Sequence, residues 1–232
     1  MMKYLLLLAS TGCVSTMPTA FGESTETLAA HQVSVNVMGG GGALAGTCSG
    51  CKGALGAAGG QLRLRYGIDG KQEIGVSGFG VGAFSTEGGS PVGSGGGELS
   101  YKLGPMKQLA LIAGFGFIDL ASEGVTGAGG DLGVLVAPYM DEKASVYTGA
   151  RGALVGYPSG SGGWSESITI PIGVSVAASE SVRFVAEGGA LFGWEQFNGT
   201  GLGSTSLSSN VAIGGYGTIG IQLTFGEPSP TP

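Results

Sequence analysis

The stretch Ser167-Ile168-Thr169-Ile170-Pro171-Ile172-Gly173-Val174-Ser175-Val176 decides the fold. Every second residue is a β-branched hydrophobe, and Ser, Thr, Pro or Gly stands between them. A period of two sends successive side chains to opposite faces of a strand, so one face is wholly apolar and the other small and polar. Helical winding would scatter the same residues around a cylinder. Pro171 is the awkward member, because it cannot donate to a sheet ladder.

The same alternation recurs on both sides of this stretch. Val33, Val35 and Val37 alternate with Gln32, Ser34 and Asn36, and Leu62, Leu64, Tyr66 and Ile68 with Gln61, Arg63, Arg65 and Gly67. Leu99, Tyr101 and Leu103 alternate with Glu98, Ser100 and Lys102. Further on, Val182, Phe184, Ala186, Phe192 and Trp194 oppose Arg183, Glu187 and Glu195. Val211, Ile213, Ile219, Ile221, Leu223 and Phe225 oppose Asn210, Tyr216, Thr218, Gln222 and Thr224. Residues 107–120, 127–139 and 144–157 are less regular but still read as strands. Residues 73–85 switch parity between Val76 and Phe79, which predicts a bulge or glycine kink near Gly78. The expectation is an all-β chain of about ten antiparallel strands over residues 31–225, with eight as the alternative.

Connections alternate in length. Short turns fall at Asp69-Gly70-Lys71, Gly104-Pro105-Met106, Asp141-Glu142-Lys143 and Ser179-Glu180-Ser181. Gly- and Ser-rich loops fall near residues 45–55, 86–94, 121–126, 158–164 and 198–209. Strands of about ten residues joined by short turns on one side and longer loops on the other are the pattern of a closed, up-and-down transmembrane barrel.

A soluble sandwich also alternates apolar and polar, so charge has to choose. Only 11% of the 232 residues are Asp, Glu, Lys or Arg, against roughly 25% in soluble domains. Through the strands quoted, the apolar face carries none of them. A narrow barrel would turn the other face inward, where small residues fit and charges pair. Arg63, Arg65, Glu98, Lys102, Arg151, Arg183, Glu187 and Glu195 share that face, which predicts either an internal ion-pair network or a selective pore. In the first case Arg151 or Arg63 should lie near Glu98 or Glu187. The net charge of −6 and the lack of a basic run argue against nucleic acid as a partner.

At the N-terminus, Lys3, the apolar run Tyr4 to Ala9 and the small residues after it read as an export signal over residues 1–22, followed by a linker at 23–30. Two processing readings stay open. Ala20-Phe21-Gly22 has the small-x-small spacing of ordinary cleavage, and Ser10-Thr11-Gly12-Cys13 resembles a lipobox that would lipidate Cys13. Either leaves Cys48 and Cys51 as an even pair in an oxidising compartment. Their Cys-Ser-Gly-Cys spacing fits a loop disulfide, while a zinc site lacks a second pair and a redox motif lacks its helix.

The final strand, Thr218-Ile219-Gly220-Ile221-Gln222-Leu223-Thr224-Phe225, resembles the end of bacterial outer-membrane β-barrel proteins. Thr218, Gly220, Leu223 and Phe225 match that family's assembly signal: a polar residue, Gly two later, then hydrophobic or aromatic residues at the last position and two before it. Here a Pro-rich tail, residues 226–232, follows the aromatic. The resemblance implies an outer-membrane location, contact with outer-membrane lipid and with the barrel assembly machinery, loops outside and both termini in the periplasm. It names no subfamily and no extracellular ligand.

Enzymatic members of that family use His. The single histidine, His31, precedes the first strand, away from the outer rim, and no motif sets a nucleophile beside it. The glycine runs 39–42 and 95–97 lack the phosphate-loop pattern and its helix. No enzyme, cofactor or metal is expected. Tyr139, Tyr157, Trp164, Trp194 and Phe197 lie toward strand ends, the level of membrane interfaces. The leading reading is a small barrel with a structural or surface-interaction role. A narrow channel and a secreted or lipid-anchored soluble β-domain are the alternatives.

Overall fold

Ten strands follow one another antiparallel in the computed structural model, which describes residues 22–47, 54–85, 92–120, 125–158, 163–201 and 204–226. They are β1 (Val33–Thr47), β2 (Ala54–Gly67), β3 (Gln72–Ser85), β4 (Val92–Met106), β5 (Leu109–Leu120), β6 (Val125–Met140), β7 (Ala144–Tyr157), β8 (Gly163–Ala177), β9 (Val182–Gly201) and β10 (Ser204–Phe225). Each pairs with its neighbours in sequence, and β10 closes on β1 from Val33↔Phe225 to Thr47↔Val211. No edge strand is left to template aggregation. Partners traced once round from Val33 pass Tyr66, Ile74, Tyr101 and Ala113, then Leu132, Gly152, Ile168, Phe192 and Ile213, and return to β1 at Ala45. That stagger tilts the strands by about 40°.

The distribution of side chains is inverted relative to a soluble protein. Along β8 the hydrophobes point out, Ile172 being 65% exposed, while Ser167, Thr169 and Ser175 are buried within. Leu132 at 71% and Ile219 at 73% face outward in the same way. A sandwich would bury these faces against each other, so the apolar exterior needs a hydrocarbon solvent. At the short-turn end, outward Tyr66, Tyr101 and Tyr139 hydrogen-bond through their hydroxyls to His31, Gln72 and Asp141. Rings in the apolar band with hydroxyls reaching polar turns form the girdle expected at a membrane interface. Trp164 and Trp194 lie outward toward the long-loop end, Trp194 beside the outward Glu166, and Asp119 also faces outward at the end of β5, both acids lying outside the stretches read as charge-free.

Other expectations are corrected. No bulge occurs near Gly78, because β3 keeps one register on both sides and Phe79 simply points inward. The register shifts lie instead at Leu103/Met106 and Val136/Tyr139. Each spans a proline, Pro105 or Pro138, whose missing N–H cannot serve the ladder. Pro171 causes no shift: the β7–β8 register runs from Thr148↔Ile172 to Arg151↔Thr169 across it, and Thr148 Oγ1 donates to its carbonyl at 2.7 Å. The loop expected at 198–209 is mostly strand, since β9 and β10 pair as far as Gly201 and Ser204. Tyr157 is turned into the bore, 2% exposed. Cys13, Cys48, Cys51, the tail from residue 227 and the side chains of Glu195 and Phe197 lie outside the described residues.

Candidate functional site in the lumen

The inward face of each strand lines one bore. Strand β2 contributes Arg63 and Arg65, β3 Glu73, β4 Glu98 and Lys102, β6 Asp131, β7 Tyr147 and Arg151, β9 Arg183 and Glu187, and β10 Tyr216. All but Arg183 and Tyr216 are buried. Ionised groups withdrawn from water cost several kcal/mol each unless densely paired, so the pairing defines what the bore can hold.

Residues 23–30, expected to be a linker, fill the short-turn half of the bore together with Gly22. The Glu23 carboxylate accepts from Arg63 Nη1 at 2.8 Å, Arg65 Nη1 at 2.6 Å and Lys102 Nζ at 3.1 Å. Glu73 takes a second bond from Arg65 at 2.9 Å and one from the Leu28 N–H at 3.0 Å. Lys102 Nζ also donates to the carbonyls of Ser24 and Glu26, at 2.8 and 2.9 Å. Thr25 Oγ1 donates to the Lys107 carbonyl at 2.7 Å, and Thr27 Oγ1 to the Gly70 carbonyl. Nearer the mouth, Glu26 pairs with Arg183 at 3.0 Å. This segment has irregular backbone, and strand side chains supply many of the partners its polar groups would otherwise find in water. Gly67 makes room for it: a Cβ there would stand 2.1 Å from the Ala29 carbonyl oxygen.

Above the segment, Arg151 donates from Nη2 to Glu98 at 2.8 Å and from Nε to Asp131 at 2.8 Å. Glu187 accepts from Tyr216 at 2.7 Å, Tyr147 at 2.9 Å and the Gly22 N–H at 3.1 Å, and Asn36 donates to the Gly22 carbonyl. The structure therefore brings Arg151 to Glu98, as expected, and Arg63 to Glu23. Among the described lumen and mouth residues, the cations are Arg63, Arg65, Lys102, Arg151 and Arg183. The carboxylates are Glu23, Glu26, Glu73, Glu98, Asp131 and Glu187, one more than the cations.

The opposite wall is largely apolar, with Asp131 and Arg151 as its charged residues. Ala110, Ile112, Leu135, Ala137, Tyr147 and Val185 pack together, and Ile118, Val155 and Tyr157 form a second cluster with Phe79 toward the long-loop end. Tyr147 crosses Gly173, where a Cβ would lie 2.1 Å from the ring. Inward hydrophobes on β5 to β7 explain why residues 107–157 alternate poorly: both faces are apolar there.

Sequence reasoning missed Glu23, Glu26, Glu73 and Asp131. Glu73 had a usable signal, since it shares parity with Gly75 and Ser77, whereas Asp131 shares parity with Leu135 on a strand with two apolar faces and had none. Glu23-Ser24-Thr25-Glu26-Thr27 had none. In the terminal motif, Thr218 and Gly220 face the bore while Leu223 and Phe225 face out, Phe225 being 53% exposed.

No protein-family model and no curated protein matches the chain. Solved structures do resemble it. The outer membrane protease OmpT from Escherichia coli aligns at 11% identity over 87% of this chain and 100% of its own, with a TM-score of 0.47. The translocator domain of autotransporter NalP from Neisseria meningitidis aligns at 12% over 96% and 95%, with a TM-score of 0.45. The outer membrane protein OprG from Pseudomonas aeruginosa aligns at 11% over 88% and 100%, with a TM-score of 0.41. What identifies the solvent of the outer surface is the inverted placement of side chains: this chain is a closed, ten-stranded, membrane-type β-barrel with a charged and partly filled bore.

Proposed function

We propose that the protein is a bacterial outer-membrane barrel closed from within by residues 23–30, acting structurally or through its surface loops and not as a channel or an enzyme. The observation that carries this is Glu23, 3% exposed in the bore and held by three cations on two strands. A water-filled path would have to displace that carboxylate and leave Arg63, Arg65 and Lys102 together without it. The enzymatic alternative is disfavoured by His31, whose Nδ1 lies 2.8 Å from the Tyr66 hydroxyl at the short-turn mouth, with no Ser or Cys nucleophile placed on it among the described residues.

In this reading the short turns and both termini face the periplasm, and the connections around residues 48–53, 86–91 and 202–203 face outward to a ligand not yet identified. The assembly machinery reads Thr218, Gly220, Leu223 and Phe225. Purified wild-type barrel in planar bilayers should show little conductance, and steady ion-selective current would overturn the closed reading in favour of a channel. A tag at Gly201 should be accessible on intact cells and one at Gly70 should not. The reverse labelling would invert the orientation.

A further inference from the structure

Gly22 sits deep in the bore, not at its mouth. It is buried, its N–H donates to Glu187 at 3.1 Å, its carbonyl accepts from Asn36, and a Cβ on it would overlap the Met38 sulfur. Residues 23–30 already occupy the route from there to the short-turn mouth, with Glu23, Thr25 and Leu28 buried on the way. Gly22 is also the last residue of Ala20-Phe21-Gly22, the small-x-small stretch that ordinary export cleavage reads.

We infer that the chain is cut between Gly22 and Glu23 before the barrel closes, and that the new α-ammonium of Glu23 becomes a resident cation of the bore, paired with Glu187. The reaction is a hydrolysis by an export-pathway peptidase. Water adds across the peptide bond, Gly22 leaves with the carboxylate, and the Glu23 nitrogen is protonated. The inference rests on the exported, self-closed barrel proposed above.

Three observations converge. One residue of chain spans at most about 3.5 Å, so the new ammonium arises within that distance of a nitrogen already bonded to Glu187. The lumen and its mouth hold one more carboxylate than cation among the described residues, and a single ammonium balances them. The lipobox alternative fits the geometry poorly. From a lipidated Cys13, the chain would reach Gly22 in mid-bore and then have to share the bore with residues 23–30 to return to a periplasmic anchor. A peptide bond buried beside Glu187 is also beyond a peptidase's reach, so cleavage precedes closure.

The test uses barrel purified from the outer membrane. Intact mass should give a chain beginning at Glu23, and a lipid on Cys13 or a different first residue overturns the inference. If that barrel is nonetheless non-conducting, the closed reading survives alone. In the folded barrel the α-amine should resist acylation near neutral pH, where an exposed α-amine, with a pKa of about 8, reacts ahead of lysines. Full labelling without denaturant overturns the pairing. Unfolded chain acetylated at that amine and then refolded should have a lower urea midpoint than unmodified wild type. In Glu187→Gln the same acetylation should shift the midpoint far less. Equal shifts in both backgrounds overturn the pairing with Glu187, and the labelling result decides if Glu187→Gln does not refold.

Discussion

The two walls of the bore solve one problem in different ways. On β2 to β4 the inward residues in the short-turn half are mostly charged or small, and a separate piece of chain, residues 22–30, lies against them. On β5 to β7 most inward residues are apolar, among them Ile112, Ile118, Leu135, Tyr147 and Val155, with Asp131 and Arg151 as the charged exceptions, and the wall fills its own half. A barrel of ten strands is too wide for small side chains alone to fill and narrow enough that one extended segment completes it. The difference teaches that alternation reports which face points inward but not what occupies the interior.

The charged wall should be the more fragile. Glu23→Ala leaves Arg63, Arg65 and Lys102 buried with one carboxylate fewer, and breaking a buried pair from one side costs about 3–5 kcal/mol. We expect a lower urea midpoint in detergent, with conductance appearing in bilayers as the segment loosens. Removing partners together should hurt less than removing one: Glu23→Gln combined with Lys102→Met should recover part of the loss. If the double variant is worse than Glu23→Ala, the cluster is not held together by charge balance.

On the apolar wall, Leu135→Ala should cost about 2–5 kcal/mol through the cavity it leaves, without opening a conducting path, because no segment there is displaced. Current through Leu135→Ala would break the comparison, since both walls would then gate the bore.

Between the walls, Gly67→Val tests steric fit in place of charge. Its side chain would enter the space of Leu28 and Ala29, so residues 22–30 should be expelled while the barrel keeps its heat-modifiable mobility on a gel. Protease sensitivity near Thr27, rising without loss of the folded band, is the expected readout.

Legibility in the sequence follows the same division. The strand count, the closed architecture and the outward positions of β1, β2, β4 and β8 to β10 were readable, because one face of each alternates strictly against Gly, Ser, Thr or charge. Phe79 was misread as a parity switch because a large hydrophobe on the inward face looks like a strand that has turned over. It is inward because the Ile118, Val155 and Tyr157 cluster needs a partner across the bore. Tyr157 failed for the same reason. The segment 22–30 could not be read at all: it has no period, and what folds it is a set of cations contributed by strands forty to eighty residues away. The ion pairs of Glu73 and Asp131 depend on the stagger between strands, which becomes visible only once the barrel closes.

The smallest effects should come from the turns, where the two walls use the same device. In the β2–β3 turn the Asp69 carboxylate accepts from the Lys71 and Gln72 N–H groups at 2.9 and 2.8 Å. In the β6–β7 turn Asp141 accepts from those of Lys143 and Ala144 at 2.8 and 2.7 Å. Backbone N–H donors, Lys71 foremost, hold the Asp69 carboxyl below the usual carboxylate range, and the Tyr139 hydroxyl followed by the Ala144 and Lys143 amides does so for Asp141. A lowered folded-state value means that each turn's contribution is present above the ordinary Asp value of about 3.9 and fades as pH falls through the lower folded one. Both groups are exposed, so Asp69→Ala and Asp141→Ala should shift the global midpoint only slightly at neutral pH and speed amide exchange within their own turns. The comparison sharpens here, because Thr27 bonds to the Gly70 carbonyl and no such contact is found at Glu142 among the described residues. Asp69→Ala should therefore also raise protease sensitivity near Thr27 while Asp141→Ala leaves it unchanged. Equal sensitivity in the two variants would show that the turn beneath the inner segment does not help to anchor it.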